Sequence, residues 1–243
     1  MADIPNRDGL EAEIARAIAK LSGAQMDKLI KHLGNPPSAD NVPKAFWAEY
    51  GDQLRALLEP MLKKLYLGQA NRLRLEVGKD NVDWALANED AARWAKEYTF
   101  DLVKGVVNTM TGSVDANLQA LLQEAIAGGF TDSLTNAQIA ERLTPAFGPS
   151  RAEMIAVTET TRATAAGEQA VVAQLKEGGV TMRAYWNTSE DELVCSVCEP
   201  LDGVPENEGG GWTNPVTGET IDSMPAHPYC RCFLTHTLAG GGA

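Results

Sequence analysis

The sequence lacks several features that would place a protein of its length in common functional classes. It contains no apolar run close to the ~20 residues that a bilayer span requires. Basic residues are in the minority, 21 against 33 acidic ones, and the formal net charge is −12. Because duplex binding depends on neutralising phosphates with Lys and Arg, this balance argues against nucleic acid as a main partner. We therefore expect neither a membrane protein nor strong nucleic-acid binding.

Cysteine and histidine are also scarce, with four and three residues in 243. All four cysteines lie in two short clusters, "CSVC" at Cys195–Cys198 and "HPYCRC" at His227–Cys232. The amino-terminal stretch has early acidic residues and no apolar h-region, so we expect no export signal. In the reducing compartment that this implies, thiols that bind metal or stay reduced are more common than structural disulfides.

The first 180 residues carry helical patterns. Near the amino terminus, apolar residues recur at helical spacing, at Leu10, Ile14, Ala17, Ile18 and Leu21. A break at 35–43 with three prolines precedes a long helical region over about 43–78, which Pro60 should kink or split. A second long region follows, and its expected large packing anchors are Trp84, Trp94 and Tyr98.

Capping signals mark the later helices. Thr135 and Gln138 have the spacing of a capping box, and Ser150 and Glu153 repeat it just after a proline. The helix that Ser150 would begin should end at Gly178–Gly179, because glycine tolerates the left-handed conformation that closes many helices.

The residue pattern changes after about residue 180. "VTMRAYWNT" and "CRCFLTHTL" are rich in β-branched and aromatic residues and predict two strands. Between 185 and 225 there are nine acidic residues and no Lys or Arg; we interpret this run as a solvated loop, with a docking surface for a basic partner as the alternative. The predicted fold is mainly α with a small C-terminal α+β module. The predicted divisions are 1–42, 43–130 and 131–243, with the module at about 181–238.

The two clusters have the spacing of a metal site, C-x2-C, then 28 residues, then H-x2-C-x-C. Thiolate and imidazole are ligands that zinc prefers, and structural zinc contributes roughly 10–16 kcal/mol of apparent binding free energy. We predict Cys195, Cys198, His227 and Cys230 as ligands, with Cys232 as a substitute. Two cysteines in C-x-C spacing on a strand would point to opposite faces, so both bind only if the backbone turns there.

Other roles for the cysteines remain open. They could pack as reduced, metal-free side chains, or form disulfides. A redox pair is disfavoured because no helix pattern of a βαβ unit follows "CSVC". Catalytic zinc is disfavoured because the sequence has no H-E-x-x-H and no H-x-E motif.

The C-terminal half resembles the Mu F-type phage head-morphogenesis, or minor head protein, family. "YWNTSEDELVCSVCEPLDG", "HPYCRC" and the helix "RAEMIAVTETTRATAAGE" carry the resemblance, which covers roughly 130–237. The matching residues of the signature are Trp186, Thr188, Asp191, Cys195, Cys198, Leu201, Asp202, Gly203, His227, Pro228, Cys230, Arg231 and Cys232. Those of the helix are Arg151, Ala156, Thr158, Glu159 and Arg162.

The resemblance implies a structural, non-catalytic protein of tailed phages. Such a minor head protein would bind the portal ring inside the head, with the major capsid or scaffolding protein as further partners. It would aid head assembly, DNA packaging or DNA delivery, in the virion and, during assembly, in the host cytoplasm. The alternatives are a zinc-dependent hydrolase or transferase, with Glu159 or Asp191 as general base, and a prophage-encoded adaptor.

Four further residues are predicted to brace the module. Glu159 and Arg162 lie three apart on one helix and can pair with each other, as an exposed pair of small energy. Alternatively, Arg162 reaches Asp202 and holds the helix to the "LDG" turn. Arg231 either offsets thiolate charge or points to water, and we favour the first.

Overall fold

The computed structural model describes residues 4–34, 37–77, 83–127, 135–189 and 194–239. Its five helices are α1 (Arg7–Leu33), α2 (Lys44–Val77), α3 (Trp84–Ala127), α4 (Asn136–Phe147) and α5 (Pro149–Glu177). Its four short strands are β1 (Met182–Asn187), β2 (Trp212–Thr213), β3 (Thr220–Ile221) and β4 (Phe233–Leu238). The prediction of a mainly helical chain with a small C-terminal sheet region is confirmed.

The chain divides into two compact units. The first, here called the cysteine unit, comprises Met1–Glu11, Met61–Ala95 and Met154–Ala243. The second, here called the helical unit, comprises Ala12–Pro60 and Lys96–Glu153. Helices α1, α2, α3 and α5 each pass from one unit into the other. The division into 1–42, 43–130 and 131–243 follows chain order and stays a prediction.

The helical unit packs side chains that recur at helical spacing. Its part of α1 buries Ile14, Ile18, Leu29 and Leu33, although Leu10, Ala17 and Leu21 of the predicted stripe are only half-buried. Polar residues complete the same face. Ser22 bonds the Tyr50 hydroxyl over 3.0 Å, and the Gln25 side-chain amide donates to Gln53 over 2.7 Å. A helix face can therefore be buried while carrying polar groups, provided that each finds a partner.

Two expectations for the long helices need correction. Pro60 lies inside α2 and does not split it, although the boundary between the two units falls directly after this residue. The buried face of α3 near its start consists of Ala87, Ala91 and Ala95, whereas Trp84 is 39% exposed. Trp94 and Tyr98 are half-buried. Small residues permit close backbone approach there, so the large aromatics lie at the edge.

The caps of α4 and α5 agree with the sequence except at one point. Thr135 and Gln138 form the predicted capping box. Helix α5, however, begins at Pro149, with the Gly148 carbonyl accepting from the Arg151 amide over 3.2 Å, so Ser150 lies within its first turn. The helix ends as predicted: Gly179 has φ +81°, and the Val180 amide donates to the Leu175 carbonyl over 2.8 Å.

Close packing and buried polar contacts join α2 and α5 within the cysteine unit. A Cβ added at Gly167 would lie 2.2 Å from the backbone oxygen of Tyr66, so only glycine fits at this approach. The Gln69 side-chain amide donates to buried Glu168 over 2.5 Å, and Glu168 lies 4.0 Å from His236. No helix in the described part of the chain is long and apolar enough to span a bilayer.

Candidate metal centre

Two antiparallel strand pairs frame the C-terminal module. Strand β1 pairs with β4, which places Trp186 opposite Leu234, and β2 pairs with β3. Trp186 and Trp212 are fully buried, with their ring centroids 5.5 Å apart in an edge-to-face arrangement. Around them lies a core that includes Leu201, Met224 and Leu234 and three of the four cysteines, Cys198, Cys230 and Cys232. The module thus shares a continuous apolar core with Ala165 of α5.

The "CSVC" segment forms a tight turn that aims both thiols the same way. The amides of Cys198 and Glu199 donate to the Cys195 carbonyl over 3.0 and 2.9 Å. A 3-10 turn at Glu199–Leu201 follows, and Gly203 with φ +72° closes it by donating its amide to the Trp186 carbonyl over 2.7 Å. The predicted turn at Asp202–Gly203 is therefore present and ties the first cysteine pair to β1.

The "HPYCRC" segment turns before β4 begins. Tyr229 has φ +65°, and the Cys230 amide donates to the His227 carbonyl over 3.2 Å. Cys230 and Cys232 both precede the strand, which starts at Phe233. The alternation of side chains along a strand does not apply to them, so both thiols can face the first cluster.

All five predicted ligand residues converge. His227 Nε2 lies 2.9 Å from Cys195 Sγ and 3.2 Å from Cys198 Sγ. Cys198 Sγ lies 3.9 Å from Cys230 Sγ. The donor atoms form two groups that share Cys198, one with Cys195 and His227 and the other with Cys230 and Cys232.

One sulfur–sulfur separation fits a tetrahedral ion, although the donor atoms form two groups of three rather than one group of four. Zinc–sulfur bonds of about 2.3 Å imply sulfur–sulfur edges of about 3.8 Å, close to the Cys198–Cys230 separation. The sulfur–nitrogen separations are shorter than the roughly 3.6 Å of such a tetrahedron, so His227 would have to move outward by a few tenths of an ångström. Either Cys230 or Cys232 could complete the set, and the choice of Cys230 stays a prediction.

The histidine is oriented as a ligand. Its Nδ1–H donates to the Pro228 carbonyl over 2.7 Å, since a carbonyl can only accept. This bond leaves Nε2, the nitrogen that faces the sulfurs, as the atom with a free lone pair. Burial opposes protonation, but the Pro228 bond and the sulfurs of Cys230 and Cys195 prevail and raise the pKa of His227.

The thiols perturb one another strongly. Burial alone would raise the pKa of Cys195, but hydrogen bonds from the backbone amides of Cys198 and Val197 outweigh burial and lower this pKa. Hydrogen bonds with the thiols of Cys198 and Cys232 lower the pKa of Cys230. Hydrogen bonds with the thiols of Cys230 and Cys232 raise the pKa of Cys198. One sulfur of the buried group is therefore favoured as thiolate, and ionising more of them requires a cation nearby.

Of the residues predicted to brace the module, two contact each other and a third has a partner other than the expected one. Glu159 pairs with Arg162 at 3.5 Å and is buried rather than exposed. In the described residues Asp202 Oδ1 instead accepts from the amide of Thr188 over 2.8 Å and from its hydroxyl, and no contact with Arg162 is seen. Asp191, the alternative general base, lies outside the described residues.

The side chain of Arg231 pairs with acidic residues near the start of α1. Its guanidinium pairs with Asp8 and lies 3.6 Å from Glu11, both on α1. The expectation that it offsets thiolate charge stays a prediction. Of the six described residues of the acidic run, Glu206 is half-buried and the other five are exposed, in agreement with a mostly solvated surface: Glu199, Asp202, Glu208, Glu219 and Asp222.

Sequence reasoning missed the residues that hold the second cysteine cluster. Thr161 of α5 donates its hydroxyl to the Cys230 carbonyl over 2.6 Å, and the Tyr229 amide donates to Thr158 over 3.0 Å. Buried Arg7 donates to the Arg231 carbonyl over 2.6 Å. Thr158 belongs to the helix that carries the resemblance, but no local pattern points to Arg7, which lies 224 residues from its partner.

One family model matches the part of the chain that holds the candidate site. Residues 116–235 match the model of the family described as phage Mu protein F like protein, and this range contains every candidate ligand. No curated protein and no solved structure matches the chain. The match of residues 116–235 supports the phage Mu protein F like family, and this family suggests a protein of phage head morphogenesis.

Proposed function

We propose that the protein is a minor head protein of a tailed phage that binds the portal ring inside the head. In this proposal it aids head assembly, DNA packaging or DNA delivery and has no catalytic step. The observation that carries the proposal is the family match, which spans α4, α5 and the whole cysteine cluster. The helices supply the portal contacts, and the module holds a rigid shape.

We further propose that a structural zinc ion holds the module together. Four cysteine sulfurs and one imidazole nitrogen lie in two adjoining groups that share Cys198, and three of these sulfurs with the nitrogen would make the ligand set of a closed structural zinc site. The candidate ligands are Cys195, Cys198, His227 and Cys230, with Cys232 as substitute. Bound zinc would supply the positive charge that lets several adjacent thiols ionise together.

Portal binding is testable with purified components. The protein, mixed with the portal ring of the same phage, should co-sediment with the ring at physiological salt. Two double variants with the same change in charge locate the contact: Glu97→Lys with Asp101→Lys on exposed α3, and Glu208→Lys with Asp222→Lys on the module. The helical variant should lose binding and the module variant should keep it. Absence of co-sedimentation for the unmodified protein would show that portal binding is wrong.

A structural site and a catalytic site differ in coordination. Cobalt-substituted protein should show the absorption of a closed, thiolate-rich tetrahedral site with no exchangeable water. An exchangeable water on the cobalt would favour the hydrolase or transferase alternative. In the structure, Glu159, one general base of that alternative, is already paired with Arg162.

A further inference from the structure

The first turns of α1 contact the backbone that carries two of the candidate ligands. Arg7 is 3% exposed, although arginine is rarely buried without partners. Its Nη1 donates to the Arg231 carbonyl over 2.6 Å, its Nη2 donates to the Thr161 hydroxyl, and its Nε pairs with Glu11 over 2.7 Å. All of these residues belong to the cysteine unit.

These hydrogen bonds fix the two backbone carbonyls that lie between Cys230 and Cys232. Thr161, which accepts from Arg7, donates its own hydroxyl to the Cys230 carbonyl over 2.6 Å. The Arg231 carbonyl accepts directly from Arg7. The Cys230 and Arg231 carbonyls belong to the two peptide units between the α-carbons of Cys230 and Cys232, so fixing them restricts the directions in which the two side chains leave the backbone.

The side chain of Arg231 adds a second set of contacts with the same helix. It pairs with Asp8, and its Nε lies 3.6 Å from Glu11 Oε2. Glu11 thus lies between two guanidinium groups, those of Arg7 and Arg231. Two cations and two carboxylates, the latter from Asp8 and Glu11, form a mutually compensating network on one side of the "HPYCRC" turn.

We propose that Arg7 is a positioning residue for the metal centre and that metal binding is linked to the docking of the first turns of α1. The inference rests on the proposed metal centre. Residues that orient metal ligands through hydrogen bonds typically change metal affinity about 10–100-fold when they are replaced. By linkage, an ion that needs the docked arrangement must also stabilise it. Arg7 lies outside the range that matches the family model, so the family match does not assign it this role.

The direct test measures zinc affinity of the full chain by competition with a chromophoric chelator. Arg7→Met should bind zinc about 10-fold more weakly or worse, and Thr161→Val should weaken binding in the same direction. Arg7→Lys should not restore the affinity, because an ammonium group cannot reach three acceptors with the planar fork of a guanidinium. Arg16→Met is the matched control, since Arg16 is an exposed arginine of the same helix, and it should bind as the unmodified protein does.

Two further readouts separate positioning from a general loss of stability. Cobalt-loaded Arg7→Met should show a weaker sulfur-to-metal charge-transfer band while its far-ultraviolet circular dichroism stays unchanged. Amide hydrogen exchange at residues 8–11 should become faster when zinc is removed from the unmodified protein, with little change at residues 50–58.

The outcomes distinguish the two proposals. If the unmodified protein binds zinc and Cys198→Ser abolishes binding, but Arg7→Met and Thr161→Val bind as tightly as before, the role of Arg7 is refuted and the metal centre stands. If the unmodified protein binds no zinc, the metal centre and the linkage are refuted together.

Discussion

The helical unit and the C-terminal module bury their side chains in different ways. In the helical unit, buried residues such as Leu54, Leu58, Ile139 and Leu143 follow one another at helical spacing. In the module, the residues that meet are distant in sequence: Trp186 packs on Trp212, and Cys198 lies beside Cys230. Contacts of the first kind repeat along each helix, whereas those of the second kind are a few contacts that join residues across long loops.

This difference predicts different responses to the loss of one residue. A helix that loses one packed side chain keeps its backbone hydrogen bonds and most of its buried face. A loop-rich module has few regular hydrogen bonds, so its order depends on whether the closing contacts outweigh the conformational entropy of the loops. Single substitutions in the two regions should therefore separate metal binding from helix packing.

The largest effect is expected for Cys198→Ser, because Cys198 belongs to both groups of donor atoms. The unmodified protein should carry about one zinc per chain, and the variant should lose it together with most of the roughly 10–16 kcal/mol that such sites contribute. Metal analysis and thermal unfolding measure both quantities. Cys232→Ser is the matched comparison and should keep the zinc; loss of zinc there would identify Cys232 as the fourth ligand in place of Cys230.

Trp212→Ala tests whether the apolar core of the module matters beside the metal. Removing this fully buried ring should lower the free energy of unfolding by about 3–5 kcal/mol through lost burial and a cavity. Urea unfolding followed by circular dichroism measures it. Trp84→Ala is the control, since Trp84 is 39% exposed and should change stability far less. Equal effects would contradict the buried tryptophan pair.

Leu54→Ala truncates a buried side chain in the helical unit, as Trp212→Ala does in the module. Leu54 is fully buried on α2, and the substitution should cost about 2–4 kcal/mol. The zinc content should nevertheless stay at about one per chain, because no candidate ligand lies in this unit. Leu57→Ala, half-buried on the same helix, should cost less. Loss of zinc from Leu54→Ala would show that the two regions depend on each other energetically.

The smallest effect concerns a buried carboxyl in the cysteine unit. Burial raises the pKa of Glu168 to about 8, although the bond from Gln69 partly opposes the shift. A carboxyl with a raised folded pKa leaves the fold most stable below its unfolded pKa, and stability is then lost progressively until the pH has risen through the folded pKa of about 8.

Between about pH 7 and 8.5 the protein should therefore lose roughly 1 kcal/mol of stability relative to its Glu168→Gln variant. Urea unfolding at several pH values measures the difference. The exposed replacement Glu97→Gln should leave the pH dependence unchanged. Parallel curves for Glu168→Gln and the unmodified protein would mean that Glu168 stays ionised when folded.

Much of the fold could be predicted because it depends on neighbours in sequence. The capping box at Thr135, the end of α5 at Gly178–Gly179 and the strands β1 and β4 each follow from residues within one or two turns. Of the large aromatics expected as packing anchors of α3, Trp84 is exposed, whereas Trp94 packs against Tyr66; periodicity does not tell which face meets a close neighbour. Pro60 was expected to kink or split α2; the helix continues through it, so the split is excluded and the kink stays a prediction.

The site was predictable as a set of residue types and only partly as an arrangement. Cysteine and histidine spacing is enough to name the five candidate ligands. It could not reveal that Cys230 and Cys232 both lie before the strand, because this depends on the turn at Tyr229. Nor could it reveal Arg7 or the carboxylates that pair with Arg231, which come from the other end of the chain.

Short stretches of the sequence specify the order of the helices, because local spacing and composition suffice for it. They also specify the two clusters of candidate sulfur ligands and the family match of residues 116–235. Which polar groups are buried together was decided only in three dimensions. The cost of burying Arg7, Glu11 or Glu168 is offset by partners far along the chain, and no local pattern records which distant partner will be present.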